Sequence, residues 1–246
     1  MSSIADFFRW LNTEHGLNFS VFYDAFEWST FVDGVAHTFM LAAVSIVGSV
    51  LLGMAGAFLL GSRSRLLRGC VEAYVWAFRN TPPLVQLYFF YFALGPTLSH
   101  ALGSPTPVLG GIGWAVVSLT LFAAAFNVEI FRAGIEAVPH SMLEASRAMG
   151  MSRHLTFYKV TMPLAWRISL PALNNNLINL IKTTTNASAI AVPELLYAAS
   201  QIWAQNLNTA EMMVVLLVFY LAVIGLFVLA MTFWEKKLAV PGWGTA

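Results

Sequence analysis

Long apolar runs alternate with short polar ones along this chain, and the alternation sets its elements. Residues 39–60 and 212–234 contain no charged side chain, and each run is long enough for a helix to cross the ~30 Å hydrocarbon layer of a bilayer. A third run, 112–131, carries Glu129 near its end. Two more spans are less regular. One covers 71–94, with Glu72 and Arg79 near its start and Pro82-Pro83 inside it; the other lies between Arg167 and about Pro193 and is rich in Asn and Thr. The pattern therefore predicts an all-α integral membrane protein with five transmembrane helices. Ser45, Gly48, Ser49, Gly53 and Gly56 give the first span a small-residue face for close helix packing. Residues 1–33 mix nine Phe, Tyr and Trp side chains with Asp6, Glu14, Asp24, Glu27 and Asp33, which suits the headgroup region on the outer side. One transmembrane domain is expected over 34–237, followed by a short tail at 238–246.

Composition agrees. Hydrophobic residues make up 58% of the chain and charged residues 10%, against about a quarter charged in a soluble domain. A net charge of +1 suggests no nucleic-acid partner. Cys70 is the single cysteine, and the five histidines show no ligand spacing, so neither a disulfide framework nor a metal centre is expected. The N-terminus lacks a basic start before an apolar run, and no cleaved signal peptide is expected.

Basic residues fix the expected orientation. With five spans and the N-terminus outside, Arg63, Arg65, Arg68, Arg132, Arg147, Arg153, Lys159, Arg167, Lys236 and Lys237 all face the cytoplasm, and Arg9 alone lies outside. The longest cytoplasmic segment, 134–163, is then a helix-turn-helix. Ser141-x-x-Glu144 is a capping box that can start a helix at Met142. Gly150 can end it in a left-handed conformation. Ser152 can cap a second helix that runs through Leu155, Phe157 and Tyr158 until Pro163 stops it. From these signals alone, an amphipathic hairpin on the lipid surface is favoured over a docking element, because such signals are common.

The spacing of Glu144-Ala145-Ser146, three residues to Gly150, nine more, then Val160-Thr161-Met162-Pro163 resembles the EAA loop of permease subunits of ATP-binding-cassette (ABC) importers. Further segments resemble the polar amino acid branch of that family, which includes histidine, glutamine and glutamate/aspartate permeases. These are Phe78-Arg79-Asn80-Thr81-Pro82-Pro83-Leu84-Val85-Gln86, Glu129-Ile130-Phe131-Arg132-Ala133-Gly134-Ile135, Lys182-Thr183-Thr184 and Val192-Pro193-Glu194-Leu195. Two departures stand out: Ser141-Met142 replaces the branch's usual Gly-Gln, and Ser146 replaces the third Ala. The resemblance implies a type I importer permease fold. It implies coupling to a separate cytoplasmic ATPase subunit through Glu144, Ala145, Ser146, Arg147, Gly150 and Pro163. It also implies a second permease copy or paralogue, a periplasmic substrate-binding protein and a polar amino acid substrate. No cofactor is expected on this chain, since it has no phosphate-binding Gly-x4-Gly-Lys-Ser/Thr loop; ATP and magnesium belong to the partner. The expected location is a bacterial inner membrane.

Polar groups inside spans need partners or a water-lined path. Arg79, Asn80, Thr81 and Gln86 flank a proline break and could line such a path; alternatively, Arg79 pairs with Glu72 or Glu129. Asn176, Asn179, Lys182 and Thr183 share one helix face, as a lining for an amino acid's charged ends or as interhelical glue. Glu129 and Arg132, at i, i+3 spacing, read as an ion pair supporting the loop. Glu194 could meet a binding protein or cap a helix. Two rivals stand beside the permease reading. An ion-coupled secondary transporter would leave the long loop as a surface hairpin, and an intramembrane enzyme would need a catalytic constellation that the sequence does not display.

Overall fold

The computed structural model describes residues 2–238, so most of the expected C-terminal tail lies outside the described residues. Every regular element described is helical: α1 (Ser2–His15), α2 (Ala25–Leu60), α3 (Arg65–Arg79), α4 (Pro83–Tyr88), α5 (Gly95–Ala101), α6 (Gly111–Glu136), α7 (His140–Ala148), α8 (Arg153–Thr156), α9 (Met162–Thr183), α10 (Leu195–Asn206) and α11 (Thr209–Leu238). Wide π-helical turns at Phe89–Leu94 and Phe157–Thr161 and tight 3-10 turns at Ser20–Phe22 and Thr184–Ile190 lie in four of the connections. Three helices are long and apolar enough to cross a membrane, namely α2, α6 and α11. They contain the runs 39–60, 112–131 and 212–234.

The two irregular spans differ from their sequence pattern in instructive ways. The run 71–94 is not one helix. Pro82 and Pro83 cannot donate a backbone bond, so α3 ends at Arg79 and α4 begins afresh at Pro83. Asn80 Nδ2 and Thr81 Oγ1 donate to the carbonyls of Trp76 and Ala77, at 2.7 and 2.9 Å, and close the exposed end of α3. Conversely, α9 begins before Arg167 and passes Pro171 without stopping. The helix α2 also starts early, at Ala25, inside the segment assigned to the headgroup region. Asp24 Oδ1 caps it by accepting from the amides of Phe26 and Glu27 at 2.9 and 3.0 Å.

The chain gathers into two units. One comprises residues up to Val44, Pro83–Leu119 and Ile181–Leu226. Its core packs Val21, Phe31, Leu195, Ala199, Ile202 and Met212 together, and a second cluster joins Leu41, Leu87, Ala115, Ala187, Ile190 and Val192. Long-range hydrogen bonds cross it. Asn206 Nδ2 donates to Glu27 Oε1 at 2.6 Å, and Asn208 Nδ2 donates to the Asn18 carbonyl at 2.8 Å.

The other unit comprises Ser45–Pro82, Thr120–Leu180 and the chain from Phe227. Here the small-residue face of α2 lies against α6. A Cβ at Gly53 would sit 2.3 Å from Asn127 Cβ, and one at Gly56 would sit 2.5 Å from Val128 Cγ2. That approach is possible only because glycine has no side chain. A polar chain runs through the contact: Asn176 Nδ2 donates to Asn127 Oδ1 at 2.8 Å, and Asn127 Nδ2 donates to Ser49 Oγ at 3.2 Å. Ala57, Phe131, Leu173 and Leu177 form the apolar core beside it. The outward faces of α2 and α11 remain apolar and exposed, for example Leu51 and Leu229 at 62% and 68%. A soluble protein could not leave such helices uncovered, whereas lipid solvates them.

Candidate functional site

The polar loop after α6 folds as two short helices, α7 and α8, joined by a tight turn. Its start differs from the sequence reading. The helix α7 begins at His140, behind Pro139 in an extended conformation (φ −59°, ψ 136°), and no side chain caps it. Ser141 therefore falls inside the helix, where its hydroxyl cannot reach the capping position, and the expected capping box does not form. Pro139 has no N–H to donate to a preceding turn, so it sets the boundary two residues earlier than Ser141 would.

The turn itself follows its residues. Gly150 adopts φ +79°. Its N–H donates to the Arg147 carbonyl at 2.9 Å, and the Met151 N–H donates to the Ser146 carbonyl at 3.1 Å. The second bond spans five residues, as in a glycine-terminated helix end. Ser152 Oγ then caps α8 by accepting from the Leu155 amide at 3.3 Å. Pro163 does not stop the second helix. It sits second in α9, just after the π turn in which the Met162 N–H reaches back to the Phe157 carbonyl. A wide turn lets the chain pass a residue that has no donor and continue as helix.

Ser146, the departure from Ala, is buried. Its hydroxyl donates to the Leu143 carbonyl at 2.8 Å and shares a hydrogen bond with Thr156 Oγ1 at 3.1 Å. This bond ties α7 to α8, a link that Ala could not make. Glu144, Ala145, Arg147 and Gly150 are exposed, as are Met142 and Met149, the latter at 81%. Acidic, basic and large apolar groups thus share one rigid polar hairpin.

The path candidates fall in both units. Arg79 lies 3.9 Å from Glu129 and its guanidinium stands 5.4 Å from the Phe126 ring centre. Glu129 in turn accepts from Arg132 at 2.6 Å, and Arg132 reaches Glu136 at 3.0 Å. Of the two partners foreseen for Arg79, Glu129 is the one it meets, and the expected Glu129–Arg132 pair is present. Asn80 and Thr81 close α3 as described. Asn176 is buried in the Asn127–Ser49 chain, donating also to the Ala123 carbonyl at 3.0 Å, and so serves as interhelical glue. Asn179 and Lys182 are exposed and Thr183 is half-buried. Gln86 is buried in the first unit. Lys182 has no ion-pair partner among the described residues.

One feature was missed by sequence reasoning. Asn127, the polar centre of the α2–α6–α9 contact, was legible only as an amide inside an apolar run. Glu194 is fully buried at the N-cap of α10, outside the expected spans, with Oε1 accepting from the Tyr197 amide at 2.8 Å. Burial pushes its carboxyl up to about 7, opposed by the amides of Leu196 and Tyr197 and by the Thr38 hydroxyl. Of its two sequence readings, helix cap is the one this geometry matches.

A family model described as the binding-protein-dependent transport system inner membrane component matches residues 49–239. The chain is 36% identical over 181 residues to the L-cystine transport system permease protein TcyB of Bacillus subtilis, covering 74% of each. It is 34% identical over 193 residues to the octopine transport system permease protein OccM of Rhizobium radiobacter, covering 76% of this chain and 78% of the relative. Among solved structures, an amino acid ABC transporter matches with a TM-score of 0.76 at 26% identity, over 85% of this chain and 94% of that one. The methionine ABC transporter MetNI in an inward-facing state shares the fold, with a TM-score of 0.68 at 22% identity, over 88% of this chain and 99% of that one.

Proposed function

The chain belongs to the family of binding-protein-dependent transport system inner membrane components, and on that premise we propose how it works as the transmembrane permease subunit of an ATP-driven amino acid importer. It is a transport subunit, not an enzyme. It is an integral inner-membrane protein, and its family implies an ATPase and a substrate-binding protein as partners. Relatives named for cystine, glutamine and arginine support a polar amino acid or close analogue as the substrate.

The observation that carries the coupling reading is the α7–α8 hairpin. It is pinned internally by Ser146–Thr156 and by the Gly150 turn, yet it presents Glu144, Arg147 and Met149 outward. Such a hairpin transmits a push because it resists internal bending, and exposed methionine beside charge suits a protein groove. An ATPase subunit that closes on ATP and magnesium would grip Glu144, Ala145 and Gly150, on the side of the hairpin away from Leu143 and Arg147. The movement would pass through the π turn and Pro163 into α9. Alternating access is then a shift between two packings, biased by ATP on the partner. Arg79, Asn80, Thr81 and Asn179 in one unit, and Gln86, Lys182 and Thr183 in the other, are each proposed as path residues for their charge or hydrogen-bonding groups; Asn176 holds helices together. A second permease copy or paralogue completes the path around a single transmembrane domain (34–237), with 1–33 outside and the tail inside.

Uptake into proteoliposomes tests this reading. The complete complex with its binding protein should accumulate labelled polar amino acids only when ATP is enclosed on the ATPase side. Uptake driven by an ion gradient without ATP would instead identify a secondary transporter.

A further inference from the structure

The second unit holds a groove of about 740 Å³ between the end of α2, the base of α6 and the α7–α8 hairpin. Its charged lining is Arg147, Arg153 and His154 together with Arg132 and Glu136, which are paired with one another. Neither Arg147 nor Arg153 has an ion-pair partner among the described residues. The lining also includes the apolar Phe58, Leu59 and Leu60, where the uncharged run of α2 ends and Gly61-Ser62 begin. On the same helix, Leu51 and Phe58 are exposed at 62% and 58%. An apolar track that opens at a helix end into a pocket with two free guanidinium groups fits one kind of molecule: a lipid with an acyl chain and an anionic phosphodiester headgroup.

We propose that this groove binds an anionic phospholipid of the same leaflet, with its phosphodiester between Arg147 and Arg153 and a chain along α2. Guanidinium groups recognise phosphate through paired donors, and basic pockets between helices at this depth select anionic headgroups. The proposal rests on the reading that this hairpin faces the cytoplasm beside the membrane. The consequence is that lipid charge stiffens the hairpin against α2, so the coupling element is held from the membrane side as well as by its partner subunit.

The test uses the whole transporter, purified with its ATPase, and native mass spectrometry during titration with phosphatidylglycerol or phosphatidylcholine. Phosphatidylglycerol is expected to bind selectively. Arg153→Gln should weaken it about fivefold, and Arg147→Gln plus Arg153→Gln about 25-fold. Arg63→Gln plus Arg65→Gln, outside the groove, should leave it unchanged. Equal binding of both lipids, or no loss in the groove variants, overturns the proposal. So does displacement of phosphatidylglycerol by millimolar inorganic phosphate, which would make the groove a site for free anions. Loss of the ATPase with lipid binding intact would assign the arginines to the partner subunit and likewise overturn it. Failure of the coupling reading shows separately: the ATPase would stay bound when Glu144→Lys and Gly150→Asp, both outside the groove, are combined.

Discussion

Gly134 lies at the base of α6, where the coupling hairpin begins, and its packing against α9 gives a sharp stability prediction. A Cβ at this position would lie 2.0 Å from Ser169 Oγ, 3.3 Å from Ser169 Cβ and 2.8 Å from the Ala165 carbonyl oxygen. Ser169 is buried and donates to the Ile130 carbonyl at 3.3 Å. Gly134→Ala therefore forces two adjustments. The hydroxyl must turn away and lose its bond, and the α9 backbone must retreat from a carbonyl that cannot rotate. Overpacking of this kind costs about 1–3 kcal/mol, which lowers the melting midpoint by roughly 3–10 °C in a chain of this size. Ser169→Ala alone removes one long hydrogen bond, about 0.6 kcal/mol in a membrane protein, or roughly 2 °C. The double variant removes the worst clash but keeps the carbonyl one, so it should melt above Gly134→Ala alone and below wild type. Thermal denaturation in one detergent at one scan rate, followed by intrinsic fluorescence, measures all four proteins. Additive losses in the double variant, or a Gly134→Val protein as stable as wild type, would show that α6 and α9 do not meet there.

Further outcomes follow from other contacts. Ser146→Ala should lower the melting midpoint by roughly 2–4 °C, the effect of about 1 kcal/mol; an unchanged midpoint would mean that the α7–α8 hydrogen bond adds nothing. Glu194 titrates about 7 when folded against an ordinary 4.5, so the folded state binds the extra proton and stability should fall as pH rises from 4.5 through 7. Glu194→Gln keeps an acceptor for the Tyr197 amide and should flatten that slope; a slope equal to wild type would place the titrating group elsewhere. The Arg79–Glu129 pair is long and half-exposed, worth under ~1 kcal/mol. Arg79→Gln should therefore leave the melting midpoint nearly unchanged while raising the KM for uptake, and an unchanged KM would remove Arg79 from the path.

Much of this architecture is legible in the sequence because apolar period and length dominate it. The runs 39–60, 112–131 and 212–234 lie within α2, α6 and α11. The Gly-Ser face of α2 meets α6 as its small residues require. The Gly150 turn and the Ser152 cap are local chemistry and need no tertiary context. What was hidden depended on partners or on proline. Pro163 looks like a helix stop, yet a π turn carries the chain past it into α9. The capping box at Ser141 was overruled by Pro139 two residues earlier. Asn176 reads in sequence as either lining or interhelical glue, and only the fold shows its bond to Asn127, 49 residues away. Arg79 had two acidic candidates in sequence, and only the fold chooses Glu129.

The coupling hairpin is the centre of this account, and copurification tests it most directly. Tagged protein drawn from its native membrane should bring an ATPase subunit with it, and ATPase activity should respond to substrate and binding protein. Glu144→Lys combined with Gly150→Asp reverses an exposed charge and places a side chain at φ +79°, while leaving the spans untouched. The expected result is a folded, membrane-inserted variant that loses the ATPase or no longer stimulates it. A variant that retains a fully coupled ATPase, or a wild type that carries none, would contradict the assignment of α7 and α8 as the point where force enters the permease.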